Sequence, residues 1–192
     1  MPKLVDAAVQ RGEIRDAARR VFARRGVSGT GLAHVAREAG MGRTSLYYYY
    51  PDKDSLLADL LRETLRDESA LFRSHLRAEG TALSRVLSLV EANVALFGQW
   101  ADVGRMLLDF RLRDASRFRR YFREFRGELA RALREGQDGG EIDPDLDPVH
   151  ASATLIGAID GLLLQHFLDP KALDLDALRA ELRRGVERMV TP

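Results

Sequence analysis

Cysteine is absent from all 192 residues. That removes disulfides, thiolate nucleophiles and cysteine-ligated zinc. The four histidines, His34, His75, His150 and His166, fall in no HExxH or other local ligand spacing, so no metal site is expected. No serine stands in a nucleophile elbow and the glycines form no phosphate-cradling loop, so no catalytic residue and no cofactor is assigned. No uninterrupted apolar run approaches the ~18 residues of a membrane span, and MPKLVDAAVQ has no apolar signal core. The chain is therefore expected in the cytoplasm, away from a membrane. Strand-like alternation between hairpin turns is missing too, which leaves an all-α fold. Only three of the thirty cations are lysine, a bias toward arginine that carries no mechanism by itself.

The charge is unevenly spread. Residues 1–53 hold ten Lys/Arg against five Asp/Glu, while the remainder holds twenty against twenty-four. A basic head on a mildly acidic body is the footprint of a chain that meets phosphate at one end. Helical periodicity predicts about nine helices. They cover about 9–25, 32–39, 43–50, 53–76, 81–100, 102–113, 116–135, 148–168 and 174–190, with an acidic, turn-rich linker at 137–147. Gly26 stops the first helix. Thr30 is a candidate cap for the second, Asp52 for the fourth and Ser116 for the seventh.

The central stretch is GVSGTGLAHVAREAGMGRTSLYYYYPDK, residues 26–53. Leu32, Val35, Ala36 and Ala39 share one helix face. Gly40 permits a tight turn, and Leu46 and Tyr50 point inward from the next helix. Arg43, Thr44, Ser45, Tyr47 and Tyr48 then face outward, with Tyr49 at the edge. Arginine suits base edges, and hydroxyls and phenols suit phosphate oxygens. The string Gly26, Thr30, Leu32, Val35-Ala36, Ala39-Gly40, Leu46-Tyr47 and Tyr50-Pro51-Asp52-Lys53 resembles the DNA-binding head of the TetR family of bacterial transcriptional regulators. Tyr50 stands where phenylalanine is more usual in that family, and Gly42 where a polar cap often stands. The resemblance covers roughly residues 10–60.

That resemblance implies a three-helix helix-turn-helix head at 1–53, a connecting helix at 53–76, and an effector-binding and dimerisation body at 54–192. It implies a DNA-contacting set of Thr30, Gly31, Gly42, Arg43, Thr44, Ser45, Tyr47, Tyr48, Tyr49 and Lys53. It also implies a homodimer on a palindromic double-stranded operator, released by a small-molecule effector. Candidate effector contacts are Asn93, Phe97, Trp100, Asp109, Phe110, Phe118, Tyr121, Phe122 and Phe125, although an aromatic stripe at helical spacing also reads as plain core. The last two helices supply candidate dimer residues Leu155, Ile159, Leu162, Leu163, His166, Leu178, Leu182 and Val186; a buried helix in a monomer would read the same way. A ligand-responsive repressor is the expectation. An activator of the same fold, or an apolar-ligand binding protein with a vestigial head, remain alternatives.

Overall fold

A computed structural model describes residues 7–113 and 115–192, with side chains described outside 98–117. Eight helices follow one another among the described residues: α1 (Ala7–Arg25), α2 (Leu32–Glu38), α3 (Arg43–Tyr49), α4 (Lys53–Leu76), α5 (Ala82–Arg113), α6 (Ala115–Asp138), α7 (Pro148–Leu168) and α8 (Leu175–Val190). No strand occurs among them.

The count is one short of the periodicity reading because α5 is a single helix of 32 residues. The expected break at residues 100–102 does not occur. The stretch contains no proline, and a polar residue does not by itself deprive the backbone of its i−4 partners. Ser116 falls within α6, one residue after its first, and its side chain lies outside the described ones.

Helix ends follow local chemistry. Asp52 accepts from the Ser55 amide at 2.7 Å and caps α4. Asp147 takes the Val149 and His150 amides ahead of Pro148, and Asp174 takes the Asp176 and Ala177 amides. Each carboxylate also meets the positive end of the helix dipole. The turn after α2 is a Schellman motif: Met41 N–H donates to Ala36 O and Gly40 N–H to Arg37 O. Gly40 sits at φ +66° there, where a side chain would be strained.

Two apolar cores result. The head core joins Ile14, Ala17, Ala18 and Phe22 of α1 to Leu32, Val35 and Ala36 of α2, to Leu46 and Tyr50, and to Leu56, Leu57 and Leu60 of α4. The body core gathers Phe72 and Leu76 at the far end of α4 with α5, α6, α7 and α8. Between them Leu61 of α4 packs on Phe118 of α6. The connecting helix is thus a shared wall of both units. α7 is long and apolar enough by composition to cross a membrane. Here one side of it packs on α5 and α6.

Gly136 on α6 gives a sharp packing test. A Cβ there would lie 2.5 Å from Ile142 Cδ1, and Ile142 is fully buried. Gly136→Ala is expected to destabilise by about 1–3 kcal/mol despite alanine's better helix propensity. Gly127 on the same helix has open space around it, so Gly127→Ala is expected to be neutral or stabilising by up to about 1 kcal/mol. Urea midpoints of the two variants check this; equal shifts would contradict the packing.

Candidate nucleic-acid interface

α3 presents one face to the core and the rest to solvent. Leu46 is fully buried and Tyr50 is 2% exposed, whereas Arg43, Thr44 and Ser45 are exposed, Tyr47 is half exposed and Tyr48 is 84% exposed. Tyr49 is half-buried, edge-on to Tyr48 at 5.4 Å. The four consecutive tyrosines therefore occupy different environments, as the ~100° step of a helix requires. Gly42 precedes α3 in extended backbone, with no side-chain cap.

Thr30 departs from its expected cap role. It is 2% exposed and its hydroxyl donates to Gly26 O at 2.8 Å, within the loop. The N-cap of α2 is Gly31, whose N–H donates to Nδ1 of His34 at 3.2 Å. Lys53 is also engaged internally: its Nζ donates to Val27 O at 3.0 Å, tying the start of α4 to the α1–α2 loop.

Much of the head's positive charge is committed inside the chain. Arg15 binds Asp59 at 3.1 Å and Glu63 at 2.8 Å, and Arg19 reaches Glu63 at 2.6 Å. Arg20 and Arg24 close on Glu38 of α2. Of the six arginines of α1, Arg15, Arg19, Arg20 and Arg24 are thereby structural. Arg25, Arg37 and Arg43 are exposed outside these pairs. Asp59 and Glu63 were missed, although their i, i+4 spacing on α4 mirrors that of Arg15 and Arg19 on α1.

The Arg20 and Arg24 guanidinium groups hold the Glu38 carboxyl below its ordinary range. Burial pushes Asp59 up, but hydrogen bonds from Tyr50 and Arg15 outweigh it and leave the carboxyl below its usual range.

In the body, Phe97 is core and its ring lies 6.2 Å from that of His166. Asn93 is buried with its amide committed to Leu89 O at 2.9 Å. Phe125 stacks on Phe72 at 3.8 Å. Phe118 is buried; Tyr121 and Phe122 are half-buried. Trp100, Asp109 and Phe110 lie outside the described side chains. Tyr121 and Phe125 line a cleft of about 160 Å³ between α4 and α6. Of the proposed dimer residues, Leu155, Ile159, His166 and Val186 are buried within this one chain. There they pack against the chain's own core. Leu162, Leu163, Leu178 and Leu182 are half-buried against the same core.

A short exposed helix, set behind a glycine turn and carrying Arg43, two hydroxyls and two phenols, defines a helix-turn-helix DNA-binding protein. The comparisons narrow that class. Residues 14–60 match the family described as bacterial regulatory proteins, tetR family, and residues 111–191 match the BetI-type transcriptional repressor C-terminal family. The HTH-type transcriptional regulator BetI of Burkholderia thailandensis is 31% identical, with the alignment covering 100% of this chain and 99% of that protein. The protein of the same name from Escherichia coli O45:K1 is 29% identical over 91% of this chain and 90% of its own. A transcriptional regulator from Saccharomonospora viridis, solved in complex with choline, shares the fold with a TM-score of 0.85 at 22% identity, covering 96% of this chain and 99% of that one. The chain belongs to the TetR family. It is a DNA-binding transcriptional regulator of repressor type and not an enzyme.

The ion pairs set a pH dependence. Glu38 and Asp59 have folded-state values below their unfolded ones, so their contribution is full above the unfolded carboxylate range of about 4 and is lost as pH falls below it. Urea midpoints are expected to drop on acidification through that range, less steeply for Glu38→Gln. An unchanged slope would contradict the assignment. At the α3 surface, Arg43→Ala is expected to relax discrimination by about 1–3 kcal/mol at one base position. Titration against operator variants reads this, and uniform weakening on all sequences would move Arg43 to the phosphates.

Proposed function

We propose that the protein is a homodimeric repressor whose two α3 helices enter successive major grooves of an inverted-repeat operator. In this reading Arg43, Thr44 and Ser45 face bases, while Tyr47, Tyr48 and Lys53 hold phosphates and fix register. Residues 1–53 form the DNA-binding unit and 54–192 the effector-binding and dimerisation unit, with α4 common to both. This reading implies a cytoplasmic protein.

The observation that carries the dimer is the outward side of α7. Ala153, Thr154, Gly157 and Ala158 are exposed there, Val149 and Leu168 are 52% and 72% exposed, and Gly157 and Gly161 have open space where a Cβ would point. Small residues one turn apart let a second helix approach closely, and a two-fold contact of this face with itself would bury the apolar ends. This face stands beside the dimer residues that the family resemblance implies, of which Leu155, Ile159, His166 and Val186 are buried within one chain.

The effector we place between α5 and α7. His166 is 6% exposed and its Nδ1 has no hydrogen-bond partner among the described residues, a cost that a donor-bearing ligand beside Phe97 would relieve. The choline complex of the S. viridis regulator makes a small quaternary ammonium alcohol the first compound to test. Its cation suits an aromatic face and its hydroxyl suits His166. Release follows when the ligand prefers the body conformation in which α4 spoils the spacing of the two heads.

Ala158→Glu is expected to give a monomer by sedimentation with helix content unchanged, and operator affinity reduced at least about tenfold through loss of the second head. A variant that stays dimeric places the interface elsewhere. Choline titrated into the protein by calorimetry is expected to bind, and His166→Phe to weaken it about tenfold. Binding indifferent to that substitution would remove His166 from the site.

A further inference from the structure

The reading helix is held by little. α3 has seven residues and buries one of them, Leu46. One apolar side chain resists withdrawal but only weakly resists rotation and tilt, since dispersion contacts are non-directional. The directional tie lies at the C-terminal end. Tyr50, the C-cap residue, donates from its hydroxyl to Asp59 Oδ2 of α4 at 2.5 Å. Arg15 of α1 reaches the same oxygen at 3.1 Å, and Arg62 takes Oδ1 at 2.9 Å. Arg15 and Arg19 are anchored in turn by Glu63. The Arg11 guanidinium lies 5.0 Å from the centre of the Tyr50 ring, on α1. One carboxylate therefore gathers α1, the end of α3 and α4 at a single point. Apolar packing does not require the hydroxyl; a phenylalanine ring, the more usual residue of the family there, would fill the same volume.

We propose that the Tyr50–Asp59 hydrogen bond is a latch that sets the angle of the reading helix on α4, making both positioning residues for operator discrimination although neither meets DNA. The proposal rests on the reading of α3 as the helix that enters the groove. Hydrogen bonds to base edges fail when displaced by a fraction of an ångström or tilted by some tens of degrees, whereas charge attraction to phosphates tolerates such shifts. Loosening the latch thus weakens operator binding and spares binding to arbitrary sequence. Because α4 continues into the body core, the same bond carries any tilt of α4 to α3.

The full chain is titrated on an operator fragment and on a random duplex of equal length, at several salt concentrations. Tyr50→Phe is expected to lower the operator-to-random affinity ratio about tenfold, with random-DNA affinity and its salt slope unchanged. In an Asp59→Ala background the same substitution is expected to change the ratio no further, because the acceptor is already gone. Thermal unfolding and helix content are measured alongside. An unchanged ratio for Tyr50→Phe, equal weakening on both DNAs, or additive losses in the double variant would overturn the latch. If Asp59→Ala does not fold, the Tyr50→Phe ratio decides alone. A wild-type protein with no preference for the operator fragment would instead overturn the DNA-reading assignment itself.

Discussion

The double packing of α4 is the constraint from which the rest of the molecule follows. Leu56, Leu57 and Leu60 close the head core, Leu61 meets Phe118, and Phe72 and Leu76 enter the body core. Each buried leucine contributes about 1.5–3 kcal/mol, so neither unit can part from α4 cheaply. A 24-residue helix is about 36 Å long and bends little. A rigid rod with a core at each end converts a small displacement at one end into a displacement of α3 at the other. The ionic lattice of Arg15, Arg19, Asp59 and Glu63 adds direction to a contact that apolar burial leaves free to slide.

That lattice changes the electrostatic picture. A net positive head suggests a phosphate-binding surface, yet four arginines of α1 are spent against Asp59, Glu63 and Glu38. What reaches solvent beside the reading helix is smaller and more selective: Arg43, two hydroxyls and the phenols of Tyr47 and Tyr48. Arg25 and Arg37 are exposed as well. In the proposed reading, affinity for phosphate and recognition of bases are carried by different residues of the same 28-residue segment.

The head was largely legible in the sequence because its signals are local. A glycine turn, apolar positions three and four apart, and a proline stop all fall within about thirty residues, and helix caps at Asp52, Asp147 and Asp174 obey the same short-range rules. The body was less legible because periodicity tells which residues are covered but not by what. Leu155, Ile159, His166 and Val186 are covered by the chain's own α5 and α6, while the face left open on α7 is built from alanine, threonine and glycine, which carry no strong hydrophobic signal. Thr30 shows a similar limit: its hydroxyl satisfies Gly26 O and not a helix amide, a choice made by loop geometry that composition does not encode. The Tyr50–Asp59 contact joins residues nine apart across a proline turn, a separation that helical periodicity does not pair.

Sequence-selective binding by paired heads is read by selecting bound fragments from a genomic pool with the purified protein and footprinting the enriched duplexes. One enriched inverted repeat is expected, protected on two half-sites about one helical turn or somewhat more apart. Enrichment of no sequence above the input pool, with uniform salt-sensitive retention of all fragments, would contradict it.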